Sequence, residues 1–132
     1  MNIKPKESAA QEWNKKGKDL RSAGRYKAAI ACYDRAMRIE PRYASARYNK
    51  GNALLALGRY REAMSCYNKV IKIAPKDVEA WHNKGWALGA LGRYREALIC
   101  HNGAIKITPK DVDLWNDRGT ALYALNRYRE AL

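Results

Sequence analysis

The stretch "LGRYREA" occupies residues 57–63 and returns unchanged at residues 91–97. Two near copies, "AGRYKAA" at 23–29 and "LNRYREA" at 125–131, extend the series at a constant spacing of 34 residues. A fixed period of this length marks a chain that builds its core by stacking one supersecondary unit on the next. The quoted segment is read as the hinge of that unit and so as scaffold, because every unit needs the same turn.

Counting from Ala10, Ala44, Val78 and Val112 lines up the columns. Position four holds Trp13, Arg47, Trp81 and Trp115, and position eight holds Gly17, Gly51, Gly85 and Gly119. Position eleven is Leu20, Leu54, Leu88 and Leu122; position seventeen is Tyr26, Tyr60, Tyr94 and Tyr128. Position twenty is Ala29, Ala63, Ala97 and Ala131, position twenty-four is Tyr33, Tyr67 and His101, and position thirty-two is Pro41, Pro75 and Pro109. Within each unit two apolar stripes repeat at helical spacing. In the second unit Gly51, Leu54 and Leu57 share one face, and Tyr60, Ala63, Met64, Tyr67 and Ile71 share another. Gly24, Gly58 and Gly92 fall between the stripes, where glycine ends a helix in the left-handed conformation. Asn126 takes that place in the fourth unit and is expected to do the same. Each proline then closes the second helix. The pattern predicts helices A over 10–23, 44–57, 78–91 and 112–125, and helices B over 25–40, 59–74 and 93–108. Ser8 followed by Gln11 reads as a capping box for the first.

These columns resemble the tetratricopeptide repeat, W-x2-L-G-x2-Y, then A-x3-F, then P. The chain departs from it at position seven, where Lys16, Lys50, Lys84 and Arg118 replace leucine, at position eleven, and at Arg47. The resemblance implies an all-α solenoid of antiparallel helix pairs forming a right-handed superhelix. It has three full repeats (10–43, 44–77 and 78–111) and a truncated fourth (112–132), after a lead-in over 1–9. It also implies a protein-interaction scaffold that holds a peptide in a concave groove lined by helices A. Carried onto this chain, the groove positions give Asn14, Lys15, Lys18 and Arg21 in repeat 1 and Tyr48, Asn49 and Asn52 in repeat 2. They give His82, Asn83 and Trp86 in repeat 3, then Asn116 and Asp117 in repeat 4. Asparagine offers both donors and an acceptor to a peptide backbone. Exposed aromatic rings give apolar contact at modest entropic cost.

The groove is graded in charge. Lys15, Lys18 and Arg21 share one helix face and make the first end positive. Glu79, Asp113 and Asp117 make the far end negative. One subfamily clamps the free carboxylate of chaperone tails with Lys, Asn, Asn, Lys and Arg. The corresponding positions here are Asn14, Lys18, Asn49, Glu79 and Asn83, or one repeat later Tyr48, Asn52, Asn83, Asp113 and Asp117. The late cations are absent or reversed, so a C-terminal carboxylate clamp is not expected.

The 132 residues carry a net charge of +13. Residues 10–43 hold 9 cations against 4 carboxylates, 44–77 hold 7 against 2, 78–111 hold 5 against 3 and 112–132 hold 3 against 3. An acidic protein or peptide partner fits this gradient, and RNA on the basic surface of repeats 1 and 2 is the alternative. Most of the cations recur in framework columns such as Arg25, Arg59, Arg93 and Arg127, and no RNA-binding motif is present. Cys32, Cys66 and Cys100 form one column at a spacing too wide for bridges and read as packing residues. No catalytic set, phosphate loop or metal-ligand spacing stands out, so no enzyme activity, metal or cofactor is expected. No apolar run approaches the ~20 residues of a membrane span. There is no secretory signal, and a cytoplasmic location is expected. The fourth repeat lacks a polar capping helix, from which a longer array or self-association through the C-terminal end is expected.

Overall fold

The computed structural model describes residues 7–131. Among them are seven helices and no strand: α1 (Ala9–Ser22), α2 (Tyr26–Ile39), α3 (Ala44–Ala56), α4 (Tyr60–Ile73), α5 (Val78–Ala90), α6 (Tyr94–Ile107) and α7 (Val112–Ala131). Each helix packs on the next in the chain, and α1 also touches α3 as α3 touches α5. Helices α1, α3, α5 and α7 are the A helices; α2, α4 and α6 are the B helices. No described helix is long and apolar enough to cross a membrane.

Each A-to-B hinge is the same Schellman turn. Gly24, Gly58 and Gly92 sit at φ +77°, +74° and +74°. In the first, the Gly24 N–H donates to the Arg21 carbonyl and the Arg25 N–H to the Leu20 carbonyl, both at 2.9 Å. These bonds satisfy carbonyls that the end of the helix leaves without partners. The quoted heptad repeats because this turn needs glycine at one point. At α1 the expected capping box is present: the Gln11 N–H donates to Ser8 Oγ, and the Ser8 N–H to Gln11 Oε1.

The fourth unit differs from expectation. Asn126 makes no turn; α7 runs unbroken through it, and among the described residues no non-glycine residue takes a positive φ. Arg127, Tyr128, Arg129 and Glu130 are exposed, so no packing offsets the steric cost of a left-handed asparagine. Continuing the helix gives each residue a backbone bond instead.

The core is a column of small and aromatic side chains. Ala29, Ala63 and Ala97 are fully buried, and Leu54 and Leu88 are 1% exposed. Cys32, Cys66 and Cys100 are buried free thiols; burial pushes the Cys66 and Cys100 thiols up from their ordinary range. Gly17, Gly51 and Gly85 set the distance between the two helices of a pair. A Cβ on Gly17 would lie 2.5 Å from Tyr33 Cε1, and one on Gly51 2.7 Å from Tyr67 Cε1. Arg47 keeps the task of the tryptophan it replaces. Trp81 and Trp115 donate their indole N–H to the carbonyls of Pro75 and Pro109, and Arg47 Nη2 donates to that of Pro41 at 3.0 Å.

Two glycine substitutions separate the two constraints. Gly58→Ala meets only the left-handed backbone penalty, because nothing lies within 4 Å of its Cβ position; the expected loss is about 1 kcal/mol. Gly51→Ala drives a methyl into the Tyr67 ring, and the expected loss is larger, about 2 kcal/mol. Urea unfolding of both variants checks the order.

Candidate functional site

The expected groove residues fall on neighbouring A helices and bond to one another with a regular offset. Asn49 on α3 donates to Asn14 Oδ1 on α1 at 2.9 Å. Asn83 on α5 donates to the Tyr48 hydroxyl on α3 at 3.0 Å and to Asn52 Oδ1 at 2.9 Å. Asp117 on α7 meets His82 Nε2 on α5 at 2.5 Å. Position six of one unit thus bonds position five of the unit before, a spacing of 35 residues at each rung. These rungs tie A helix to A helix.

The burial pattern divides the expected set. Asn14 and Asn49 are buried, at 7% and 6% exposure, and their amides are occupied within the fold. Asn14 also donates to the Tyr43 hydroxyl and to Ser45 Oγ, each at 3.3 Å. Asn52 Oδ1 accepts from Tyr67 as well, at 2.6 Å. Substitution of Asn49 or Asn83 therefore perturbs the stacking of units. Burial raises the Tyr48 hydroxyl, and the Tyr67 hydroxyl well above the usual phenol range, so both remain protonated. Lys15, Lys18 and Asn116 are exposed, Arg21 is partly so, and Trp86 is 53% exposed. These five, unlike the rung residues, present free surface.

The last rung carries the site's distinctive chemistry. A carboxylate only accepts, so His82 Nε2 carries a hydrogen toward Asp117. Trp86 Nε1 stands 2.9 Å from the same nitrogen, which has one in-plane position to offer. The indole N–H is accordingly not held by His82 while Asp117 is ionised. Beside this rung a pocket of about 280 Å³ opens between α5, α6 and α7, with Gly85, Trp86, Gly89, His101, Asp117 and Thr120 among its lining residues. His101 is 4% exposed and packs against Gly85. It also lines the pocket, and its Nδ1 has no hydrogen-bond partner. The sequence signal was the break in its column: histidine where Tyr33 and Tyr67 stand. Burial, the largest influence, lowers the His101 pKa; Asp117 opposes this and His82 adds to it.

Two measurements follow from this geometry. Asn49→Ala leaves buried Asn14 Oδ1 without its donor, and a loss of about 1–3 kcal/mol is expected in urea unfolding. His101 is buried neutral, so the unfolded chain binds more protons below the ordinary histidine pKa of about 6.5, and stability falls as pH drops from there. Exchanging it for the tyrosine of its column, His101→Tyr, should reduce the fall in melting temperature between about pH 7 and pH 5.

Comparison with known proteins gives the same architecture. Tetratricopeptide repeat models match residues 20–84 and 78–111. The first TPR of Spaghetti (RPAP3), solved bound to the HSP90 peptide SRMEEVD, is 24% identical with a TM-score of 0.84, over 89% of this chain and 95% of that one. The first TPR domain of human RPAP3, solved by NMR, is 23% identical with a TM-score of 0.88, over 93% and 97%. The crystal structure of MamA is 19% identical with a TM-score of 0.85, over 89% of this chain and 69% of that one. None of the curated protein sequences compared matches significantly. At these identities the structural likeness is one of fold, while the family models span both hinge and core columns over 20–111. The chain belongs to the tetratricopeptide repeat family.

Proposed function

We propose that the chain is a binding module, without catalytic role, that captures an extended peptide segment of a partner protein along the face of its A helices. Four units, 10–43, 44–77, 78–111 and 112–132, act together as one solenoid. The observation that carries this reading is the division of that face. Its rungs are satisfied internally, and the groups left free run from Lys15, Lys18 and Arg21 on α1 to Trp86 on α5 and Asn116 on α7. A peptide with an acidic segment lies naturally over the α1 end, drawn by complementary charge.

The Spaghetti relative was solved with an HSP90 peptide. The present chain is proposed not to grip a free C-terminus in the manner of the chaperone-tail clamp. Clamp positions late in the groove are occupied by Glu79 and Asn83, or one unit on by Asp113 and Asp117. Two carboxylates repel a third.

The basic surface favours peptide over RNA because many framework cations already have partners. Lys50 pairs with Asp34 at 2.8 Å, and Arg59 and Arg93 pair with Glu62 and Glu96. Lys16 and Arg35 lie over the Trp13 ring, Lys84 over Trp81 and Arg118 over Trp115.

Affinity capture from the native source, with and without nuclease, tests the proposal. Proteins retained after nuclease and lost with the triple variant Lys15→Glu, Lys18→Glu, Arg21→Glu are the expected result. Loss of all captured material on nuclease treatment contradicts it and turns the assignment to RNA. In parallel, fluorescein-labelled SRMEEVD with a free carboxylate should give no polarisation change at micromolar protein; a submicromolar affinity contradicts the exclusion of the clamp.

A further inference from the structure

We propose that the pocket between α5, α6 and α7 receives a basic side chain, arginine or lysine, from the bound peptide. The pocket lies where Leu55 and Tyr67 of the second repeat give way to Gly89 and His101 in the third. Leu55 on α3 packs against the buried cluster of Leu54 and Tyr67. One unit later Gly89 stands in its column and His101 replaces the tyrosine, and the space is left open. At about 280 Å³ it lies just below the range of roughly 300–1,000 Å³ that whole small-molecule ligands occupy, which suits a single side chain.

The chemistry of the walls selects the occupant. Ala90, Ala121 and Ala124 offer an apolar sleeve for a methylene stem. On α7 the fixed polar groups, Asp117 and Thr120, are acceptors. Asp117 gives Oδ2 to His82 and keeps its other oxygen. The Thr120 hydroxyl donates to the Asn116 carbonyl at 3.0 Å, which leaves only lone pairs toward the pocket. His101 at the floor is held neutral by burial and adds no positive charge. Ammonium and guanidinium groups are donors only and match this set. Trp86, exposed beside the opening, presents an indole face to a cation. A carboxylate side chain would meet Asp117 with like charge, and a purely apolar one would offer its carboxylate no further donor.

This inference rests on the groove proposal and adds direction to it. A peptide whose acidic part covers Lys15, Lys18 and Arg21 places its basic residue over α7. The charge order of the ligand is then acidic on the α1 end and basic on the α7 end.

The pocket is tested without any peptide, so that its failure is separate from failure of the groove proposal. The probes are N-acetyl-arginine amide, N-acetyl-norleucine amide and N-acetyl-glutamate amide, titrated at millimolar concentration into the isotope-labelled full chain and followed by amide and indole resonances. Two variants accompany the parent. Gly89→Leu fills the pocket into space where nothing lies within 4 Å of the glycine Cβ position. Asp117→Asn keeps an acceptor for His82 and removes the charge. The expected result is a saturable shift at Gly89, Asp117, Thr120 and the Trp86 indole with the arginine probe alone. Both variants should weaken it by roughly tenfold or more without lowering the melting temperature of Gly89→Leu. Equal response to norleucine, retention of the shift in Asp117→Asn, or no response to the arginine probe overturns the proposal.

Discussion

The seating of one aromatic ring on one glycine sets the dimensions of this fold. Gly17 and Gly51 leave room for the rings of Tyr33 and Tyr67 where any Cβ would collide. That contact fixes how closely helix A and helix B of a pair approach, and the pair is the unit from which everything else is stacked. Its consequence for function appears where the ring changes. At Gly85 the seat is occupied by His101, a smaller ring, and the volume given up, with that released by Gly89, becomes the pocket beside α7.

The second constraint is polar. A solenoid whose A helices met only through small apolar residues would specify its stacking loosely. Here each junction carries a hydrogen-bonded rung between position six and the preceding position five. The partners change along the chain, Asn with Asn, Asn with Tyr and Asn, then Asp with His. A satisfied buried polar pair adds little net stability but penalises any register that leaves it unmade. The rungs therefore use up much of what the helix A face offers, and the residues left for a ligand lie at its two ends.

The sequence made the fold legible through the period itself. Glycine at the hinge and proline after helix B place the helix ends within a residue or so of the observed ones, because each acts through local backbone geometry. Asn126 failed as a turn for a reason no column shows: a left-handed asparagine needs tertiary packing to hold it, and Arg127, Tyr128, Arg129 and Glu130 are exposed. The groove was legible as a face but not as a division of labour. Asn14 and Asn49 look like ligand contacts in a list of positions. Only the offset of 35 residues between partners, one more than the period, shows that they reach for each other. Of the pocket, only His101 was visible as a break in its column; Gly89 stands at a position that holds Arg21, Leu55 and Tyr123 elsewhere, and their joint effect depends on their meeting across two helices.

The central claim is that the A-helix face takes a peptide in one orientation set by charge. Selection of peptides from a random displayed library on the full chain tests it most directly. The account predicts enriched sequences with an acidic cluster separated by a spacer from one arginine or lysine, in a constant order. Enrichment of uncharged or uniformly basic peptides, or of both orders equally, would contradict it.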